Sequence, residues 1–151
     1  MSRAFVREQD GADQADDLPD RIISPHPNLV TAEGLTAIDA ELARLRAEPP
    51  GKDAIARAHH ARDVRYWSAR RASAHVVPPP EDCSEVRFGA TVTVLREGGR
   101  RQTFRIVGED EADPERGTLS FVSPLARALM GKAEGDVILL NGAEVEIEAI
   151  A

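Results

Sequence analysis

The sequence predicts an α+β protein in which an antiparallel α-helical hairpin is followed by a small antiparallel β-sheet domain with one short helix. Two observations carry this prediction. Apolar residues recur at helical spacing before residue 77, whereas they alternate with polar residues after residue 86. A proline triplet at residues 78–80 separates these two stretches, and a proline pair at residues 49–50 divides the first stretch into two helices. Prolines remove backbone donors and end helices.

The first helix is predicted to begin after Thr31, whose hydroxyl is a suitable N-cap, and to end at the proline pair. Apolar residues then follow at spacings of three, four and three, which gives the helix one apolar seam: Leu35, Ile38, Leu42 and Leu45. About 17 residues at 1.5 Å each give a helix roughly 26 Å long.

A second helix is predicted over residues 53–75, although its apolar period is blurred. Because neither helix is apolar all round and the loop between them is short, the two should pack as an antiparallel hairpin. Tyr66 and Trp67, at the base of this hairpin, are expected to pack against the partner helix or the adjoining sheet. Stacking on nucleotides is the less favoured alternative for this aromatic pair.

A β-sheet is predicted in the second half of the chain, because apolar and polar residues alternate in residues 91–94 and 102–107, on either side of a glycine turn. A strand near residues 118–122 leads into a short helix with Ser123 as its cap and Pro124 at its first position. Asn141 and Gly142 then join two closing strands, since this dipeptide supplies the positive φ angles of a tight hairpin turn.

Four segments are expected along the chain. Residues 1–28 form a disordered or extended acidic tail, residues 29–77 the hairpin, residues 78–85 a proline-rich linker and residues 86–151 the sheet domain. The first 20 residues contain six acidic and two basic side chains with few large apolar groups, so they cannot offset the entropy of ordering.

Composition excludes several classes of function. A net charge of −7 argues against a protein that coats nucleic acid, and a single cysteine, Cys83, excludes an internal disulfide. No apolar run approaches the roughly 20 residues that cross a bilayer, and no secretory signal is present, so a cytoplasmic location is expected. No nucleophile elbow, phosphate loop or metal-ligand spacing occurs, so we predict no enzyme, no catalytic residue, no metal and no cofactor.

Positive charge is concentrated in the second helix, where residues 52–77 contain six basic and two acidic side chains. A basic face is predicted there at Arg57, Arg62, Arg65 and Arg70. Two interpretations of this face remain open. It lines an RNA or phosphate path, which would be an indirect contact with nucleic acid, or it is solvated and balanced by the acidic tail.

Three motifs occur in one order in the second half: FGATVTV at residues 88–94, FRIVGEDEAD at 104–113 and SPLARALMGK at 123–132. With them, residues 86–150 resemble the C-terminal domain of the GreA/GreB elongation factors. TAEGL at residues 31–35 is similar to the start of the coiled coil of that family. Between residues 47 and 66 the resemblance fails.

The resemblance implies an FKBP-like fold for the second half and binding to bacterial RNA polymerase at the rim of its secondary channel. The chain is expected to be a monomer. The resemblance also implies which residues form the docking surface. Carried over by position, these are the helix start and the acidic loop: Ser123, Pro124, Leu125, Ala126, Arg127, Asp110, Glu111 and Asp113.

The hairpin departs from that family. There, helices of about 30 residues reach roughly 45 Å and carry two tip carboxylates that hold a catalytic magnesium. Here the sequence EPPGKD forms the tip and offers only Glu48 and Asp53, with the cation Lys52 opposing metal binding. We therefore expect a regulator that does not stimulate transcript cleavage. The alternatives are a cleavage factor that uses Glu48 and Asp53, and an interaction module with another partner.

Overall fold

A computed structural model describes residues 18–151 of the chain. It has three α-helices: α1 Ala32–Ala47, α2 Ala54–Ser73 and α3 Pro124–Leu129. It has seven strands: β1 Leu29–Val30, β2 His75–Val76, β3 Thr91–Arg96, β4 Arg100–Val107, β5 Thr118–Ser120, β6 Val137–Leu140 and β7 Ala143–Ile150. This order of elements confirms the predicted α+β class. Of the acidic tail predicted over residues 1–28, residues 1–17 lie outside the described residues.

The described chain forms two compact units. The hairpin unit contains residues 18–25 and 38–73, and the sheet unit contains residues 26–37 and 74–151. The first turn of α1 therefore belongs to the sheet unit. Whether residues 78–85 act as a linker between independently folding segments stays a prediction.

The hairpin unit confirms the antiparallel arrangement of α1 and α2. Near the open end, Arg71 Nε lies 2.5 Å from Asp39 Oδ1, and nearer the loop His60 Nε2 lies 2.7 Å from the carbonyl oxygen of Leu45. Three residues of the predicted α1 seam are buried: Ile38, Leu42 and Leu45. Residues 48–53 form the connecting loop.

In the sheet unit, five strands lie in the order β5-β4-β3-β7-β6. Neighbouring strands are antiparallel except β4 and β5, which are parallel. The expectation of a wholly antiparallel sheet is therefore wrong at this pair. A tight turn can only join antiparallel strands. The connection between β4 and β5, residues 108–117, is long enough to return the chain to the end of the sheet at which β4 begins, so that β5 runs parallel to β4.

The core of the sheet unit lies between the sheet and α3. Leu129 of α3 and Ile106 and Ile147 of the sheet are fully buried in one hydrophobic cluster. The turn between β6 and β7 has φ angles of 53° at Asn141 and 80° at Gly142, which confirms the tight hairpin turn.

The helix predicted over residues 53–75 ends two residues early, at Ser73. His75 and Val76 instead pair in parallel with Leu29 and Val30, so that the extended lead-in before α1 is part of a two-stranded sheet. The sequence offers no signal for this pairing, because two-residue strands have no detectable period. No described helix is both long and apolar enough to cross a membrane.

Candidate docking surface

The structure brings the acidic loop and the start of α3 to one edge of the sheet. Because β4 and β5 are parallel, their carboxyl ends lie side by side, and the backbone N–H of Phe121 donates to the carbonyl of Val107 at 2.9 Å. The acidic loop, residues 108–113, follows β4, and α3 follows β5 after residues 121–123. Two segments that the sequence separates by ten residues are therefore neighbours.

The start of α3 is fixed by its cap. Ser123 is extended, with φ −64° and ψ 153°, and its Oγ accepts a hydrogen bond from the N–H of Ala126 at 3.3 Å. Pro124 occupies the first helical position, where a missing donor costs nothing. The predicted capping of this helix is confirmed.

The predicted docking residues of α3 divide into two groups. Pro124 and Arg127 are exposed, and Ser123 is half-buried. Leu125 and Ala126 belong to the hydrophobic core, with 8% and 0% of their surface exposed. These two side chains hold the helix in place and offer little surface to a partner.

Glu111 of the acidic loop is bonded within the sheet unit. Its carboxylate accepts hydrogen bonds from the hydroxyl of Thr31 and, at 2.9 Å, from the N–H of Thr31. It also lies 3.3 Å from the N–H of Gly108, which donates to it. The Thr31 hydroxyl in turn accepts from the N–H of Gly34 at 3.0 Å, which confirms Thr31 as the cap of α1. Glu111 and Thr31 together satisfy donors that the helix start would otherwise leave unpaired.

Asp113 of the acidic loop caps a short 3₁₀ turn, Pro114–Arg116. Its Oδ1 accepts from the N–H of Glu115 at 3.2 Å, and its own N–H donates to the hydroxyl of Thr118 at 2.7 Å. Asp110 is half-buried in the same loop. Glu111 and Asp113 thus shape the loop, and both side chains are half-buried.

One further charged pair lies next to this surface and was not predicted. Arg105 of β4 lies 3.6 Å from Glu33 in the first turn of α1. A backbone hydrogen bond at the start of the helix, followed by the nearby charge of Arg105, lowers the pKa of Glu33. Sequence periodicity could not have found the pair, because its members are distant in the chain.

At the hairpin tip, both acids have partners. Asp53 caps α2, since its Oδ1 accepts from the N–H of Ala56 at 2.8 Å. Glu48 accepts from Arg44 Nη1 at 2.7 Å, and Arg44 also donates to both carboxylate oxygens of Glu41. Lys52 is exposed. Within residues 18–151, no group of three or more His, Cys, Asp or Glu side chains is placed to hold a metal ion.

The predicted basic face of α2 requires one correction. Arg70 is only 2% exposed and does not belong to an exposed face. At about 100° per residue it lies roughly 140° around the helix from Arg65, and thus on the opposite side. Arg57 and Arg65 are exposed, whereas Arg62 is half-buried. The Nε and Nη2 atoms of Arg65 donate to Asp20 Oδ1 at 2.8 and 2.7 Å. This contact is expected if acidic residues near the N-terminus balance the basic face.

Tyr66 and Trp67 pack against each other, whereas their expected packing against the partner helix or the adjoining sheet stays a prediction. Their rings meet edge to face with centroids 5.1 Å apart, and the guanidinium carbon of Arg21 lies 3.8 Å from the Tyr66 centroid. Arg21 therefore covers one face of the tyrosine ring.

Comparison with known proteins identifies the family of the chain. Residues 80–151 match the family model described as "Transcription elongation factor, GreA/GreB, C-term". Transcription elongation factor GreB of Neisseria meningitidis serogroup B is 45% identical over 94 residues, which cover 60% of this chain, and the chain spans 58% of that relative. Transcription elongation factor GreA of Cereibacter sphaeroides strain ATCC 17023 is 39% identical over 132 residues, which cover 72% of this chain and 87% of the relative.

Among solved structures, the GreA/GreB elongation factor of Nitrosomonas europaea is 22% identical, with a TM-score of 0.41, over 82% of this chain and 98% of that one. Family membership follows from the sequence comparisons alone. This chain belongs to the GreA/GreB family of transcription elongation factors.

Proposed function

We propose that this chain binds bacterial RNA polymerase at the rim of the secondary channel and regulates transcription without stimulating transcript cleavage. The observation that carries the proposal is a contrast between the two units. The sheet unit contains the whole region that matches the family model, whereas the hairpin unit is short and both of its tip acids are bonded. The proposal includes action in the cytoplasm, as a monomer.

The docking half of the proposal rests on the edge where β4 and β5 end. Pro124 and Arg127 are exposed there on a helix that is capped by Ser123 and anchored in the core by Leu125 and Leu129. A preorganised surface of this kind loses little side-chain freedom when a partner binds. The neighbouring loop is equally fixed, because Glu111 is bonded to Thr31.

Two observations on length support a regulator with a shortened arm. Helix α1 has 16 residues and is therefore about 24 Å long. In addition, the match to the Cereibacter sphaeroides relative extends over 132 positions but covers only 72% of this chain of 151 residues. That share of the chain contains fewer than 132 residues. The relative therefore contains residues, within the matched region, that this chain lacks.

The chemistry of the tip supports the absence of cleavage stimulation. A carboxylate that holds Mg²⁺ must direct an oxygen at the ion. Glu48 is instead paired with Arg44, and Asp53 binds the first turn of α2. Each acid therefore has one carboxylate oxygen already engaged and only the other one open to a metal, while Lys52 adds a repelling charge at the same loop.

The docking half is tested by measuring the affinity of the full chain for core RNA polymerase, compared with Arg127→Glu. Arg127 is exposed and lies outside the core, so reversal of its charge should leave the fold intact and weaken binding about tenfold or more. Arg100→Glu, exposed at the start of β4 and therefore at the opposite end of that strand from the docking edge, is the matched control and should bind like the parent. Failure of the parent chain to bind would favour an interaction module with another partner, and equal binding by Arg127→Glu would move the docking surface elsewhere.

A further inference from the structure

A cavity of about 210 Å³ lies in the hairpin unit between α2 and the segment that precedes the first strand. Its lining combines three arginines, one acid, an aromatic ring and two apolar side chains: Arg21, Arg62, Arg65, Asp20, Tyr66, Ile23 and Ala69. The proposed polymerase contact uses none of these residues.

The cavity follows from helix geometry. Arg62, Arg65, Tyr66 and Ala69 have the spacing i, i+3, i+4 and i+7, which places them on one face of α2. Residues 20–23 cover this face through two ion pairs. Asp20 pairs with Arg65 at 2.7 Å, and Arg21 pairs with Asp63 at 3.4 Å while it also covers the ring of Tyr66.

Arg62 differs from the other two arginines. Its Nε is shielded from solvent and has no hydrogen-bond partner among residues 18–151. The carboxylate of Asp63 is 3.7 Å away, which is too far for a hydrogen bond. An arginine stays protonated and cannot remove the unpaired donor by losing its charge. Shielded donors without a hydrogen-bond partner are rare in proteins because each one lowers the stability of the fold. A bound anion would supply the missing acceptor once the Arg62 side chain turns its Nε toward the cavity.

We propose that this cavity binds a small phosphate-bearing organic molecule. The phosphate would accept from Arg62 and Arg65, whose guanidinium groups match its oxygens in bidentate geometry. The apolar part of the ligand would lie against Ile23 and Ala69.

Asp20 competes with the ligand for Arg65. The Asp20–Arg65 pair is exposed, with 68% and 56% of the two side chains accessible, and exposed ion pairs contribute little to stability. A doubly charged phosphate can therefore displace the single charge of Asp20. Removing that charge should strengthen binding, whereas removing Arg62 should weaken it.

The test is a titration of the full chain with phenyl phosphate at constant ionic strength, followed by the fluorescence of Trp67. This is the single tryptophan of the chain, and its ring lies 5.1 Å from Tyr66 in the cavity wall. We expect saturable binding that is weakened about tenfold or more by Arg62→Gln and strengthened severalfold by Asp20→Asn. Arg46→Gln, exposed and absent from the cavity lining, should bind like the parent.

Three outcomes would overturn the proposal. The first is a titration with phenyl phosphate that does not saturate. The second is that Arg62→Gln and Arg46→Gln weaken phenyl phosphate binding equally. The third is that benzoate binds as tightly as phenyl phosphate, which would remove the preference for phosphate. Thermal unfolding without ligand separates lost binding from lost folding. Arg62→Gln should melt no lower than the parent, because it removes an unsatisfied charged donor. The ligand titration and the thermal unfolding experiment both use the chain alone, so their results do not depend on whether it binds polymerase.

Discussion

Glu111 accepts hydrogen bonds from both the hydroxyl and the backbone N–H of Thr31, which lies 80 positions earlier in the chain. This pair joins the first turn of α1 to the loop beside the proposed docking helix, within the sheet unit. An acid to which the family resemblance gives a role in partner binding thus has a structural task. The pair also constrains Gly34, because a Cβ built there would overlap the Glu111 carboxylate.

The first prediction concerns Gly34→Ala. Replacing glycine by alanine inside a helix normally raises stability by about 1 kcal/mol. Here the added methyl group must displace Glu111, so the free energy of unfolding should fall by about 1–3 kcal/mol as charged hydrogen bonds are lost. Urea denaturation measures this change. In the double variant Gly34→Ala, Glu111→Ala, the alanine at position 34 should become neutral or stabilising, and an unchanged penalty would contradict the role given to Glu111.

The second prediction separates capping from docking at α3. Ser123→Ala removes the hydrogen bond to Ala126 and should lower the free energy of unfolding by about 1 kcal/mol. Ser123→Asp keeps a capping acceptor and should restore most of that stability. If Ser123→Ala were as stable as the parent, the hydroxyl would not be a cap, and a direct role in binding would become the better explanation.

The third prediction concerns the hairpin tip. Asp53→Ala should destabilise the chain by about 1 kcal/mol because α2 loses its cap, whereas Asp53→Asn keeps an acceptor and should cost much less. Neither variant should change the length of transcripts made by polymerase in the presence of the chain. Transcript shortening that depends on Glu48 and Asp53 would instead identify a cleavage factor.

The fourth prediction concerns acid. The hydrogen bonds from Arg44 to Glu41, helped by the charge of Arg44, hold the pKa of Glu41 below its usual 4.5. A lowered pKa stabilises the fold above the unfolded pKa, and this contribution is lost as the pH falls through the folded value. The midpoint of thermal unfolding should therefore fall less between pH 6 and pH 3 in Glu41→Gln than in the parent.

The control for acid sensitivity is a double-variant cycle. Arg44→Gln should blunt the pH dependence in the same way, and the pair of changes should add little to either one alone. Additive effects of Glu41→Gln and Arg44→Gln would show that the two side chains act independently.

The order of the helices and of strands β3 to β7 was predictable from the sequence because each of these elements has its own local signal, which β1 and β2 lack. The caps Thr31 and Ser123, the proline breaks and the turn at Asn141 are read from a few neighbouring residues. The parallel pairing of β4 and β5 has no such signal, since alternation is the same in either direction.

The candidate site was less predictable, since burial and partners are properties of the folded chain. Leu125 and Ala126 read as part of a docking motif, yet they lie in the core. Arg70 reads as one more cation on a basic helix, yet it is buried. The bond between Glu111 and Thr31 joins residues that no local window contains.

The central claim is tested most directly by cleavage in backtracked elongation complexes, with the full chain added alone and then in competition with a cleavage-competent Gre factor. We predict no shortened transcripts with this chain alone, and a dose-dependent loss of cleavage when both proteins are present, because they would share one docking position. Shortened transcripts with the chain alone, or undiminished cleavage at saturating amounts of it, would contradict the account.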